Sequence, residues 1–272
     1  MLRNKSIGIF DSGFGGLSVM KGIVKELPDY NYIYLGDSAR VPYGTRSKET
    51  VYKFTKQAVD FLFKKGCELI IVACNTASSD ALRLVQQKHV PKYDASKKVL
   101  GVLIPAAEDA CKKTKNKRIG VMATEGTVKS GAFIRELRKV DPKIKVYQKA
   151  CPLLVPIVEA GEHDSEITEI TLKKYLKPLI SNKIDTLILG CTHYGILEPK
   201  IRKIVGEKMK IISESKIVAR KLKNYLERHP EIEEKLAKKR KRIFYSTDLT
   251  KNFEMLGSKF FGEKIKPQKA DL

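Results

Sequence analysis

The sequence predicts an α/β protein in which mainly parallel sheets are flanked by helices. Three observations indicate this class: short apolar, β-branched runs, stretches of helical apolar spacing between them, and polar clusters where the runs end. Parallel strands need long crossover connections, which helices usually supply. Helical spacing is clearest over residues 49–65 and 76–88. Strands are predicted at residues 7–10, 32–35, 69–73, 99–103, 119–122, 144–147, 186–189, 211–212 and 242–245.

The polar clusters follow the same order in the two halves of the chain. The first four strands end in DSGFGG, GDSARVPYG, ACNT and IPAAE, and the next four end in ATEGTVKSG, KACPLLVPIVEAG, GCTH and SES. Cys74 and Cys191 therefore occupy matching positions. Because ligands of open α/β sheets bind at the carboxyl ends of the strands, we expect two similar lobes, each contributing one cysteine to a shared cleft.

The composition is that of a folded, soluble chain. Hydrophobic residues make up 42 % and charged residues 31 % of the 272 residues, which is too apolar for disorder. There is no signal-peptide pattern and no apolar run near the ~20 residues of a membrane helix. Five widely spaced cysteines argue against a disulfide framework, so we expect a reducing, cytoplasmic location.

The net charge of +22 allows either a nucleic-acid surface or a lysine-rich exterior. The densest basic runs, residues 112–118 and 238–242, lack the interleaved aromatic residues of a base-stacking surface. We therefore expect solvated basic faces, which attract small anionic substrates, and no nucleic-acid partner.

Two of the cysteines are candidates for chemistry. Cys74 is followed by hydroxyl residues that can cap a helix, and a helix N-terminus favours the thiolate, so we expect a base active near neutral pH. Cys67 and Cys111 lie in helical patterns and Cys151 precedes a proline, so these three are interpreted as structural. For either cysteine taken alone, burial as a small hydrophobe is an equally good interpretation.

Matched thiols on opposite walls of a cleft suit one reaction best. Disulfide exchange or a metal site would need CxxC or Cys/His clusters, which are absent. Acyl transfer needs one cysteine with a histidine base and leaves the second cysteine unexplained. Inversion of a carbon stereocentre by proton transfer needs a base on one face and an acid on the other. The DSGFGG glycines do not match a dinucleotide or P-loop motif, so we interpret them as a tight turn that exposes Asp11 and Ser12.

The motifs GIFDSGFGG, YLGDSARVPYG, ACNTAS, VEAGE and LGCTHY, in this order and over residues 7–194, resemble those of the glutamate racemases, which belong to the cofactor-independent aspartate/glutamate racemase superfamily. The resemblance implies two α/β lobes related by a pseudo-twofold axis. Residues 1–104 and 214–272 would form the first lobe, with the C-terminal segment returning to it, and residues 105–213 the second. It also implies reversible interconversion of L-glutamate and D-glutamate without pyridoxal phosphate or metal, supply of D-glutamate for peptidoglycan, and a homodimer.

The same resemblance implies roles for individual residues. Cys74 and Cys191 would be the two acid/base residues. Glu159 would hydrogen-bond His193, with a helix cap as the other interpretation, and Asp37, with Arg40, would order the loop that presents Tyr43. Ser213 and Glu214 stand where the family often has an Asp-Ser pair, and the resemblance gives them no role. The glutamate site would be lined by Asp11, Ser12, Tyr43, Gly44, Asn75, Thr76, Thr192 and His193, with Thr124 and Thr127 as further contacts or helix caps.

Two alternatives stay open at this point. One is an aspartate racemase or another isomerase of the superfamily, since the shape of the pocket decides between substrates that differ by one methylene. The other is a non-catalytic nucleic-acid- or partner-binding protein, which the charge suggests. The remaining histidines, His89, His163 and His229, have no motif around them and are expected on the surface.

Overall fold

The computed structural model describes residues 4–272 and contains two sheets in which all neighbouring strands are parallel. The first sheet has the strand order β10-β9-β2-β1-β3-β4, and the second has β6-β5-β7-β8. The predicted α/β class with parallel sheets is therefore confirmed. The strands are β1 Ser6–Asp11, β2 Tyr32–Gly36, β3 Cys67–Val72, β4 Lys98–Gly101, β5 Arg118–Ala123, β6 Lys145–Ala150, β7 Thr186–Gly190, β8 Lys210–Ile212, β9 Arg242–Ser246 and β10 Pro267–Lys269.

Helices connect the strands and cover both sheets. Side-chain caps fix several helix starts: Ser47 accepts a hydrogen bond from the Thr50 backbone N–H, and Thr250 accepts one from that of Phe253. None of the helices within residues 4–272 is long and apolar enough to cross a membrane. The α-helices are α1 Leu17–Glu26, α2 Lys48–Lys64, α3 Asn75–Asp80, α4 Leu82–Leu84, α5 Val90–Tyr93, α6 Leu103–Lys113, α7 Glu125–Ser130, α8 Ala132–Val140, α9 Leu154–Glu159, α10 Glu166–Ser181, α11 Glu198–Val205, α12 Glu214–Arg228, α13 Pro230–Glu233 and α14 Lys251–Phe261.

The two sheets share one topological plan. The order β2-β1-β3-β4 in the first sheet is repeated as β6-β5-β7-β8 in the second. Strand β3 leads to Cys74 and strand β7 leads to Cys191, so the two cysteines follow topologically equivalent strands. Below, the first lobe means the sheet that contains β1 and its helices, and the second lobe means the sheet that contains β5 and its helices. The exact boundaries inferred from the resemblance, after residues 104 and 213, stay a prediction.

The lobes are joined through a continuous apolar core. It contains Ile9 of β1 and Leu222 of α12 together with Leu189 of β7. Helix α12 follows β8 of the second sheet but packs on α1 of the first lobe. The approach is close: a Cβ added at Gly22 would lie 2.4 Å from Ser215 Oγ. The start of α12 is therefore held against the first lobe.

Several local predictions were wrong. Leu103 begins helix α6 instead of ending a strand, and Cys67 begins strand β3 instead of lying in a helix. The helix predicted over residues 76–88 is divided into α3, α4 and a π-helical turn, Val85–His89. His163 is buried, with its Nε2 atom 2.5 Å from Lys259 Nζ. Strand β10 was not predicted.

Candidate active site

A small cavity lies between the carboxyl ends of strands from both sheets. Its accessible volume is about 20 Å³, close to what one water molecule needs. In this closed arrangement the cavity is too small for an amino acid such as glutamate. Ten of the residues that the sequence singled out lie in its wall, and three apolar ones were missed. The lining residues are Ser12, Tyr43, Gly44, Cys74, Asn75, Thr76, Thr124, Cys191, Thr192 and His193, together with Val41, Pro42 and Val155.

Cys74 is the N-cap residue of α3, as expected for a cysteine at a strand-to-helix turn. Its Sγ atom accepts a hydrogen bond from the Ala77 backbone N–H at 3.5 Å and lies 3.5 Å from Ser12 Oγ. Burial nevertheless raises the pKa of the Cys74 thiol to about 12, and the neighbouring Asp11 carboxylate adds to the rise. The expectation of a thiol poised near neutral pH is therefore wrong for the site without substrate.

Cys191 lies in the matching place after β7 and has a different neighbour. Its Sγ atom is 3.9 Å from His193 Nδ1. Burial raises the pKa of this thiol as well, and the backbone N–H of His193 opposes the rise. On its other side, the His193 ring places Nε2 3.1 Å from Glu159 Oε1, so the expected contact between these two residues is present. With Nε2–H donated to Glu159, the Nδ1 atom is left free to accept a proton from Cys191.

Asp11 ends strand β1 behind the cavity wall. Its carboxylate accepts hydrogen bonds from the Gly13 backbone N–H at 3.1 Å and from Thr192 Oγ1 at 3.3 Å. Burial raises its pKa, and the nearby His193 opposes this. The glycines of this turn permit the close approach of the second lobe, because a Cβ at Gly15 would lie 2.6 Å from Thr192 Oγ1. The turn serves contact between the lobes.

Asp37 holds the loop that carries Tyr43. Its Oδ2 atom accepts hydrogen bonds from the Tyr43 hydroxyl and, at 2.7 Å, from Arg40 Nε. Its Oδ1 atom accepts a hydrogen bond from Thr247 Oγ1 at 2.8 Å. Asp37 is fully buried and lies behind the cavity. Its contacts fit the expected role of ordering the loop.

Thr124 closes the cavity from the second lobe. It caps α7 by accepting a hydrogen bond from the Thr127 backbone N–H, as the helix-cap interpretation predicted. Its Oγ1 atom also lies 2.9 Å from Oγ1 of Thr76 in the first lobe. Thr127 lies behind Thr124 and outside the cavity lining, with its hydroxyl 3.1 Å from that of Thr124. Thr76 and Thr124 thus form a direct hydrogen bond between the lobes.

Sequence reasoning left one polar residue of this region without a role. Glu214, the first residue of α12, is 5 % exposed and accepts a hydrogen bond from Asn75 Nδ2 at 3.0 Å. A signal was available, since Glu214 follows β8 at the kind of strand end where the other polar clusters lie. The apolar residues Val41, Pro42 and Val155 carry no such signal.

The arrangement supports proton transfer more readily than other chemistry. Two thiols on separate strand ends face one cavity, and each thiol is next to a group able to exchange a proton or stabilise a charge. Within residues 4–272, no three His, Cys, Asp or Glu side chains are grouped so as to hold a metal ion. The five cysteines are free thiols.

The chain is similar in sequence and in fold to several racemases. Residues 7–222 match the Asp/Glu/hydantoin racemase family. A glutamate racemase of Persephonella marina is 44 % identical over 268 residues, which cover 98 % of this chain and 97 % of the relative. Glutamate racemase isoform RacE1 of Bacillus anthracis superposes with a TM-score of 0.91 at 37 % identity, covering 100 % of this chain and 99 % of that one. The Francisella tularensis glutamate racemase in complex with D-glutamate superposes with a TM-score of 0.89 at 34 % identity, covering 99 % and 98 %. With the match extending across both sheets and both cysteine-bearing strand ends, the chain belongs to the Asp/Glu/hydantoin racemase family.

Proposed function

We propose that this protein is a glutamate racemase, which interconverts L-glutamate and D-glutamate by proton transfer at the α-carbon. The observation that carries the proposal is the pair of equivalent thiols, Cys74 and Cys191, at one closed cavity. The relatives named above support glutamate as the substrate. The chemistry needs no group beyond the chain's own side chains.

The two cysteines act in turn. The thiolate of one removes the α-proton, which leaves a carbanion, and the thiol of the other delivers a proton to the opposite face. The product has the inverted configuration, and the two sulfurs have exchanged protonation states. The carbanion is high in energy, so exclusion of water and fixed donors around the carboxylates are needed.

Each thiol lies next to groups that can accept its proton or stabilise its thiolate. His193, oriented by Glu159, takes the proton of Cys191 when that cysteine must become the base. At Cys74, the Ser12 hydroxyl and the Ala77 backbone N–H lie next to the sulfur, and both can stabilise a thiolate. The α-ammonium group of the bound substrate favours the thiolates, and the hydroxyl and N–H donors of the wall must offset the opposing charge of the two substrate carboxylates.

Substrate carboxylates are held by the hydroxyl and backbone N–H groups of the wall, in particular those of Thr76 and Thr192. Because the closed cavity has room for about one water molecule, the lobes must separate before glutamate enters. The seam that must open includes the hydrogen bond between Thr76 and Thr124. Closure over the substrate then restores the dry site.

The cellular setting belongs to the same proposal. D-glutamate made by this enzyme supplies peptidoglycan synthesis and so supports cell-wall formation and cell shape. Five free thiols fit a reducing cytoplasm. The resemblance to the racemases suggests a homodimer, which sedimentation of the purified chain measures directly.

The test follows the α-proton of D-glutamate by NMR in D₂O with purified protein and no added cofactor, with optical rotation recorded on the same sample. Loss of the α-proton signal together with loss of rotation is the expected result. Cys74→Ala and Cys191→Ala should each abolish racemisation. D-aspartate serves as the parallel substrate: faster exchange with aspartate would assign the aspartate alternative, and inertness toward both would favour a non-catalytic binding protein.

A further inference from the structure

The buried carboxyl of Glu214 has no place in the proton transfers described above. It lies at the start of α12, directly after strand β8, and touches the residue that follows Cys74. Glu214 Oε2 accepts a hydrogen bond from Asn75 Nδ2 at 3.0 Å, while Oε1 has no hydrogen-bond partner among the described residues. Burial of a carboxyl group costs free energy unless its oxygens are hydrogen-bonded, and here only one of the two is.

The contact determines which end of the Asn75 carboxamide remains available. An ionised carboxylate only accepts hydrogen bonds, and only the NH₂ end of an amide can donate to it, as Asn75 Nδ2 does here. The carbonyl end, Oδ1, is therefore directed away from Glu214. This oxygen is buried and has no hydrogen-bond partner within residues 4–272, although Asn75 lies in the cavity wall. A buried acceptor without a partner costs about 1–3 kcal/mol.

The missing partner is a hydrogen-bond donor. An amino acid carries two carboxylates or one, which only accept, and an ammonium group, which only donates. The ammonium group is thus the part of the substrate that satisfies Asn75 Oδ1. Burial raises the pKa of Glu214 to about 8, and the nearby Asp11 carboxylate adds to the rise, so a positive charge that enters this corner favours the ionised carboxyl.

The frame behind Glu214 is rigid. Ser215 Oγ donates a hydrogen bond to the Ser18 backbone carbonyl at 2.8 Å, and Gly22 allows α12 to lie directly against α1. The packing of the two helices therefore fixes Glu214. A fixed Glu214 can keep the Asn75 side chain in one orientation when a substrate binds.

We propose that Glu214 is a positioning residue that orients the Asn75 carboxamide so that its oxygen accepts a hydrogen bond from the α-ammonium group of the substrate. The inference rests on the proposed function, because it concerns how the same site recognises an amino acid. Glu214 itself touches no reacting atom.

The test compares two ligands that differ only in the ammonium group. D-glutamate and glutarate, which lacks the ammonium, are titrated calorimetrically into the full chain and into Glu214→Met, whose side chain has similar length and no acceptor. We expect Glu214→Met to weaken D-glutamate binding about tenfold and glutarate binding less than twofold. Equal weakening of both ligands, or of neither, would overturn the proposal.

A double-mutant cycle with Asn75→Ala supplies the second measurement. If Glu214 acts through Asn75, Glu214→Met should lower kcat/KM for D-glutamate about tenfold in the wild-type background and less than twofold in Asn75→Ala. Equal losses in both backgrounds would mean a structural role. Lys216→Ala, at an exposed position of the same helical turn, is the matched control, and it should leave the ratio of D-glutamate to glutarate affinity unchanged.

Two further measurements distinguish a failure of the positioning role from a failure of the proposed racemase function. Glu214→Gln keeps an accepting oxygen, so it should retain most of the preference for D-glutamate; a loss as large as that of Glu214→Met would overturn the proposal. Wild-type protein that prefers D-glutamate to glutarate, yet exchanges no α-proton, would refute the proposed function while the positioning role stands. Wild-type protein without that preference would refute the positioning role, whether or not it racemises glutamate.

Discussion

Replacement of Gly44 by alanine tests whether close contact between the two lobes beside the cavity is required for catalysis. Gly44 lies in a 3-10 turn, Tyr43–Thr45, of the first lobe and faces Thr124 of the second. An added Cβ would lie 2.6 Å from Thr124 Cβ, whereas carbon atoms pack at about 3.5–4.0 Å. The lobes must therefore separate by about 1 Å at this point.

This displacement disrupts the closed state without disturbing either lobe. The hydrogen bond between Thr76 Oγ1 and Thr124 Oγ1, 2.9 Å long, becomes too long to persist. A misplacement of about 1 Å in an active site lowers a rate about 100-fold, or about 2.7 kcal/mol in activation free energy. Denaturant unfolding should change little, since the clash lies between the lobes and not inside a core.

The assay is kcat/KM for D-glutamate from α-proton exchange, with unfolding measured on the same preparation. Gly195→Ala is the matched control, because Gly195 follows Cys191 closely and a Cβ there meets no atom within 4 Å. Thr124→Gly in the Gly44→Ala background removes the opposing Cβ and should restore part of the activity. Activity of Gly44→Ala within twofold of wild type would refute the requirement for tight closure.

Three further predictions concern other charged groups. Glu159→Gln weakens the acceptor for His193 Nε2–H and should lower kcat/KM for D-glutamate about tenfold; activity within twofold of wild type would refute the role of Glu159. Burial raises the pKa of Asp80 to about 6, so the folded state binds this proton more tightly and stability falls as the pH rises from about 4 to about 6. Asp80→Asn should then stabilise the protein at about pH 8, on the order of 1 kcal/mol after solvent screening, and leave it unchanged at about pH 3, as denaturant midpoints at the two pH values will report. Glu68→Ala removes the carboxylate that lies 3.4 Å from buried Lys97 Nζ and 2.6 Å from Lys235 Nζ. Lys97 Nζ then keeps the Cys67 carbonyl at 2.9 Å but loses its counter-charge, so the free energy of unfolding should fall by about 3 kcal/mol; a loss below about 1 kcal/mol would show that the carbonyl alone satisfies the buried ammonium.

The strand-level fold was predictable because its signals are local. Apolar runs such as residues 69–73 mark buried strands wherever they occur, and a repeated order of strand ends reflects a repeated topology. Boundaries were less predictable: Leu103 is apolar whether it ends a strand or begins a helix, and nothing in the apolar spacing of residues 76–88 marks the break at Ala81, where φ is −115°. Local patterns do not report how a segment packs.

The sequence predicted those residues of the candidate site that directly follow a strand or belong to a recognisable motif. Cys74, Cys191 and most wall residues follow strands directly, and their identities indicate proton transfer. The burial of His163 could not be predicted, because its partner Lys259 is 96 residues away in sequence. The same holds for Glu214, whose importance depends on Asn75, 139 residues distant. Long-range pairs such as these are fixed by the packing of the lobes.

The raised thiol pKa values show a conflict built into this kind of site. A carbanion survives only where water is excluded, yet the same exclusion disfavours the thiolate that must generate it. Cys74 and Cys191 are both buried in the closed cavity, so neither is ionised there without help. Under the proposed function, the ammonium group of the substrate supplies positive charge when the lobes close, while hydrogen-bond donors of the wall offset its two carboxylates. On that proposal, we expect the thiols to become bases only in the presence of the molecule they deprotonate, and at other times to stay neutral and slow to oxidise.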